Sequence, residues 1–214
     1  MNGSAAAPAA SFEIGDALRF GWERFKVNIP LLAVIAIIVW GIQAVVSWLV
    51  RDSEGVTRAL VQFLGFLVGQ LIAMGWIRVS LSLTDGRPVS AEDLIPSAER
   101  FITYAITSIL YWLMVGVGLV LLIVPGVILA VVYAFYGFVI VDRGEPVLAA
   151  LQRSAELTRG HRGELFLFGV VLLGLNLLGA LAFGIGLLIT SPVSLIAAGY
   201  VYRRLAGPTV PAAS

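Results

Sequence analysis

The chain has 214 residues, 59% of them hydrophobic and 13% charged, with a mean hydropathy of +0.97. A soluble domain is about one quarter charged, so this composition excludes one and points to a polytopic membrane protein. A formal net charge of +1 supplies no basic face for nucleic acid, the absence of cysteine removes disulfides and thiolate chemistry, and His161 is the single imidazole.

Residues 1–11 have neither a basic stretch nor an apolar core and read as a disordered tail rather than a signal peptide. From 12 to 27, Ile14, Leu18, Trp22 and Phe25 recur at helical spacing opposite Glu13, Asp16, Arg19, Glu23 and Lys26. This predicts an amphipathic helix lying in the membrane interface. Residues 29–50 form the first uncharged span, closed by the polar turn Arg51-Asp52-Ser53-Glu54-Gly55. The second span, 56–84, is longer than hydrocarbon is thick at about 1.5 Å per residue. It is expected to tilt or to extend past the surface, with Arg78 snorkelling near its far end.

After the turn Asp85-Gly86-Arg87-Pro88, residues 91–100 predict a second short surface helix. A third span starts at Phe101 and is expected to turn at Gly116-Val117-Gly118, with the fourth running from 119 to 141 and Pro125 about two turns in. No charge occurs from 116 to 141, and Asp142-Arg143-Gly144 then brings charge and a helix-ending glycine together. Residues 146–162, with Arg153, Glu156 and Arg159, predict a third surface helix. The fifth span is 165–183, Gly184-Ile185-Gly186 is its turn, and the sixth is 187–202, with Pro192 inside it and Arg203-Arg204 beyond. Residues 206–214 read as a loose tail.

Of fourteen Lys and Arg, Arg51 and Arg58 fall on one side of these spans and the other twelve on the opposite side. By the positive-inside rule both termini and the three surface helices are expected in the cytoplasm.

The three surface helices share a signature: leucine, a small residue three positions on, and glutamate five on. It is carried by Leu18 and Glu23, Leu94 and Glu99, and Leu151 and Glu156. Gly116 and Gly118 align with Gly184 and Gly186, and Tyr133 and Tyr200 each follow Pro125 and Pro192 by eight residues. The exit segments at Asp85 and Asp142 also correspond. The expected fold is an all-α membrane protein of six transmembrane helices. Three parallel repeats, about 12–87, 88–145 and 146–205, each join a cytoplasmic amphipathic helix to a transmembrane hairpin within one domain, 12–205.

The run IVPGVILAVVYAFYGFVIVDRGEPVLAALQRSAELTRGHRGELFLF, with the opening EIGDALRFGWERFKVN, resembles the bacterial integral-membrane family related to the membrane domain of glycerophosphoryl diester phosphodiesterases. Its most specific part is Pro125-Gly126 through Asp142 to Arg153-Ser154 and Thr158-Arg159-Gly160-His161. The resemblance implies a membrane domain without hydrolase activity of its own.

Intramembrane ionisable groups mark function, and between the turns the sequence offers only the peripheral Arg78. Arg153, Arg159, His161 and Arg162 are candidates for contact with anionic headgroups, against a plain solvated turn. Glu23 and Glu156 are expected to pair with Lys26 and Arg159. Gln43, Gln62, Gln70, Asn176 and Ser191 either hydrogen-bond between helices or line a cavity, Tyr133 and Tyr200 among the aromatic residues near it. Gly65, Gly69 and Ala73 form a stripe suited to close helix packing.

The expected function is that of a non-enzymatic protein of the bacterial cytoplasmic membrane, acting as a scaffold, a regulator or a lipid-associated module. It needs no cofactor or metal, and its partners are membrane lipids and a membrane or cytoplasmic protein. The alternative is a carrier for a lipid or other amphipathic molecule through a cavity on the pseudo-threefold axis; a polar cavity favours the carrier and a packed axis the scaffold.

Overall fold

The computed structural model describes residues 12–89, 97–181 and 184–207. The described residues form nine helices and no strand: α1 Ile14–Val27, α2 Ile29–Arg51, α3 Gly55–Thr84, α4 Ala98–Leu121, α5 Ile123–Val132, α6 Tyr136–Arg143, α7 Val147–Leu157, α8 Arg162–Leu181 and α9 Leu187–Ala206. Five stretches are long and apolar enough to cross a bilayer: α2, α3, α4, the pair α5 and α6 taken as Ile123–Arg143, and α8. This is a multi-pass membrane protein. Leu94 and most of the expected second surface helix lie outside the described residues, and Glu99 and Arg100 belong to the first turn of α4.

The sixth expected span, α9, falls short of the others in apolarity because it carries Thr190, Ser191, Pro192, Ser194 and Tyr200. It is instead well enclosed, with Pro192, Val193, Ser194, Ile196, Ala197, Gly199, Val201 and Tyr202 buried among α1, α3 and α8. A helix surrounded by protein needs no lipid-compatible surface, so small and polar residues are tolerated there.

α1 turns Ile14, Leu18 and Phe25 of its predicted apolar face towards the core. It packs along α9 through Ala17, Gly21 and Phe25, while Trp22 stays 45% exposed. A Cβ on Gly21 would lie 2.6 Å from the Val193 carbonyl oxygen. Ala17 and Gly21 set the close helix crossing.

The turn expected at Gly116 and Gly118 is absent. α4 continues through both and ends at Leu122, whose backbone is extended at φ −157° and ψ 134°. In hydrocarbon a helix keeps its backbone hydrogen bonds where it can. What stops it is Pro125, which in a continuous helix would lack the donor for the Leu121 carbonyl and crowd it. Pro125 therefore stands in the first turn of α5, not two turns into a helix. Gly118 has a different role: a Cβ there would meet Cα of Gly126 at 2.8 Å, so α4 and α5 cross glycine on glycine. The other hairpin repeats the device, since a Cβ on Gly186 would meet Cα of Gly179 at 2.6 Å. Gly184, with φ +78°, does occupy the turn between α8 and α9, so Gly116 and Gly184 are not equivalent positions.

The fourth span is broken at Tyr133, Ala134 and Phe135. α7 closes the break. Its Ser154 hydroxyl accepts from the Phe135 N–H at 3.1 Å and donates to the Val132 carbonyl at 3.1 Å, which also receives the Thr158 hydroxyl at 3.2 Å. Backbone groups released by an interrupted helix must find partners when buried, and two side chains from the next helix supply them.

Candidate functional site

A cavity of about 560 Å³ opens where α3, α4, α6, α8 and α9 meet. Tyr104, Ser108 and Tyr111 fall four and three residues apart, so α4 turns all three to one side. Tyr136 opens α6 directly after the break, its ring 5.9 Å from Tyr104 and 4.9 Å from Tyr111 between centroids. The Tyr136 hydroxyl interacts with Tyr104 and Ser108, and Ser108 donates to Gln70 Oε1 at 2.9 Å. Close approach of α6 depends on Gly137, where a Cβ would come within 3.0 Å of both Ile77 and Tyr104. The facing wall is Asn176 of α8 with Ser191 and Ser194 of α9, Asn176 donating to Ser194 at 2.9 Å. Trp76, Phe138, Leu172 and Leu195 complete an apolar lining in which no side chain is charged.

The ends of α3, α6 and α9 are joined beside this cavity by ion pairs. Arg203 holds both carboxylate oxygens of Asp85 at 2.8 Å through Nε and Nη2, and Oδ2 of Asp142 at 2.8 Å through Nη1. Tyr202 donates to the same Asp142 oxygen at 2.9 Å. The Asp142 side chain is only 6% exposed and that of Arg203 10%. Burial opposes the Arg203 charge, but the hydrogen bonds to Asp142 and Asp85 outweigh it and hold the guanidinium above the ordinary arginine range. Each helix is followed by a glycine of positive φ: Gly86 at 71°, Gly144 at 69° and Gly207 at 72°. Beyond Ile140, Arg78, Arg100, Arg143 and Glu99 line a second, charged cavity of about 620 Å³.

Of the residues singled out from sequence, Gln70 joins the tyrosine wall and Asn176 lines the cavity. Gln43 and Gln62 do not face inward; both are exposed on the lightly packed α2 and α3 hairpin. Tyr133 sits at the helix break, and Tyr200 stacks with Phe20 at 4.8 Å and receives Arg204 at 2.9 Å, away from the cavity. Glu23 pairs with Arg19 at 3.0 Å rather than Lys26, and Glu156 with Arg153 at 3.1 Å rather than Arg159. Arg159 and Arg162 are exposed, and His161 faces Glu164 at 3.2 Å.

Sequence reasoning missed Tyr104, Tyr111 and Ser194 as cavity residues and Asp85, Asp142 and Arg203 as one cluster. The tyrosines carried a signal in their helical spacing with Ser108. The aspartates carried one in the correspondence of the exit segments, and both converge on one arginine.

Uncharacterized proteins of Mycobacterium bovis and Mycobacterium tuberculosis are each 25% identical to the chain over 232 residues, covering 94% of it and 71% of their own length. No solved structure matches. A family model described as a domain of unknown function, DUF7847, matches residues 54–214, from the N-cap of α3 through α9. The chain therefore belongs to the DUF7847 family.

Proposed function

We propose that the protein is a non-enzymatic, lipid-associated module of the bacterial cytoplasmic membrane that holds an amphipathic molecule in the cavity between α3, α4, α6, α8 and α9. The observation that carries this reading is the cavity itself. Its volume of about 560 Å³ lies in the range of small-ligand sites, about 300–1,000 Å³. Its lining is apolar and aromatic with a few hydroxyl and amide groups, which bind and orient; it carries no carboxylate, histidine or lysine to move a proton.

α9 completes the bundle as a sixth crossing in this reading. Arg58 and Arg78 are twenty residues apart on α3, about 30 Å of helix, which is the thickness of the hydrocarbon core. The basic excess lies at the Arg203 end, which supports a cytoplasmic location for that end and both termini. A threefold internal repeat is supported by the three left-handed glycines after α3, α6 and α9. It is supported too by the cyclic way in which α1 packs on α9 and α7 on the α5 and α6 break. The likeness to the phosphodiesterase membrane domain belongs with this reading and brings no hydrolase activity.

Purification in nanodiscs of native lipid, followed by native mass spectrometry, tests the proposal. The expected result is stoichiometric retention of one amphiphile class, lost in Ala73→Leu, which fills the cavity, while thermal unfolding shows that the variant is folded. Retention no different from bulk lipid, or unchanged in folded Ala73→Leu, overturns it. Transfer of the same lipid between leaflets in proteoliposomes would identify a carrier.

A further inference from the structure

The cavity walls specify more than an amphiphile. Asn176 Nδ2 donates one hydrogen to the Leu172 carbonyl at 2.8 Å and the other to Ser194 Oγ at 2.9 Å. A carbonyl only accepts, so the amide nitrogen must be the atom facing Leu172, and Oδ1 is left as the free end of the group. No hydrogen bond among the described residues takes that oxygen. The group it awaits is a donor. Opposite it stand the rings and hydroxyls of Tyr111 and Tyr136, Tyr111 reaching the Ala130 carbonyl only at 3.5 Å.

No cation lines the cavity. A phosphate moved there would be an ion without a partner in an apolar surrounding, which is costly. The arginines are placed elsewhere, around the separate charged cavity of Arg78, Arg100 and Arg143. We infer that the ligand of the tyrosine and asparagine cavity is an uncharged, hydroxyl-bearing lipid of the diacylglycerol or long-chain alcohol class, its hydroxyl donating to Asn176 Oδ1. This rests on the reading of the cavity as a lipid site and names the chemistry that the site selects.

The test uses the full chain in phosphatidylcholine nanodiscs doped with equal amounts of dioleoylglycerol or dioleoylphosphatidic acid, two lipids that share acyl chains and differ in the headgroup. Native mass spectrometry is expected to show dioleoylglycerol retained about tenfold over dioleoylphosphatidic acid, the margin of one well-formed hydrogen bond and an avoided buried charge. Asn176→Leu should reduce that preference to the part owed to the buried phosphate charge, and a preference unchanged in Asn176→Leu would overturn the hydroxyl contact. Ser194→Ala, which leaves Asn176 in place, should reduce it less. Dioleoylphosphatidic acid retained as well as the alcohol, and displaced by Ala73→Leu, would overturn the inference while leaving a lipid site standing. Failure to retain either lipid, or retention indifferent to Ala73→Leu, would remove both.

Discussion

Nη1 of Arg203 lies 2.8 Å from Oδ2 of Asp142, 61 positions away in the chain, in a contact where both side chains are nearly withdrawn from solvent. The same guanidinium grips Asp85 from a distance of 118 positions. Three helix ends are therefore fixed to one another by a single planar cation, a geometry suited to arginine and not to lysine.

Arg203→Gln should destabilise the fold, because it leaves the buried Asp142 carboxylate with only the Tyr202 hydroxyl and the more distant Arg143 at 3.9 Å; removal of one partner from a buried pair costs about 3–5 kcal/mol. Arg203→Lys should recover only part, since an ammonium cannot make the paired contact to Asp85. Asp85→Asn, at the more exposed end, should have the smallest effect. Thermal unfolding in one detergent ranks the three. Arg203 holds its proton above the ordinary arginine range, so its contribution is complete below that range and lost only as pH rises through it. The gap between wild type and Arg203→Gln should therefore be equal at pH 6 and pH 9, and a gap that narrows at pH 9 would contradict this.

Gly116 and Gly118 should respond oppositely to alanine. Nothing lies within 4 Å of a Cβ on Gly116, inside α4, so Gly116→Ala should stabilise by roughly 0.5–1 kcal/mol. Gly118→Ala would press on Cα of Gly126 and should destabilise by about 1–3 kcal/mol. If both variants destabilise equally, the helix does turn at Gly116.

Ser154→Ala should loosen the interruption between α5 and α6, since it leaves the Phe135 N–H buried without an acceptor at about 1–3 kcal/mol. Hydrogen exchange should rise in residues 133–139 and stay unchanged in α3 and α9. Exchange unchanged at 133–139 would mean that α7 does not support the break.

The lack of cysteine makes orientation testable without background. A membrane-impermeant maleimide applied to right-side-out vesicles should label Asp52→Cys, in the α2 and α3 turn, and should label Arg159→Cys only after permeabilisation. The reverse pattern would invert the assigned topology.

Helical class and five of the six expected long apolar stretches were legible in sequence because both follow from composition and length alone. Glycine was read correctly at Gly144 and Gly184 but misread at Gly116 and Gly118. In water Gly116-Val117-Gly118 looks like a break, whereas inside a bilayer the missing side chain serves close approach, as at Gly118 on Gly126 and Gly21 on Val193. Part of the cavity was visible, in Asn176 and Ser191 with Gln70 behind its wall, because polar side chains stand out in apolar runs. Its tyrosines were not, because Tyr104, Tyr111 and Tyr136 have the composition of ordinary interfacial aromatics until Gly137 and the break at Phe135 fold them together.

The contact of Gly21 with Val193 also bears on how the chain is made. α1 is the first described helix to leave the ribosome and α9 the last, so the groove that receives Ala17 and Gly21 does not exist while the intervening hairpins are being inserted. During that interval α1 must be tolerated without its partner, and its charged residues, Asp16, Arg19, Glu23, Arg24 and Lys26, keep it compatible with water or headgroups until then. Seating α1 on α9 closes the longest loop in the molecule and belongs among the last events of folding.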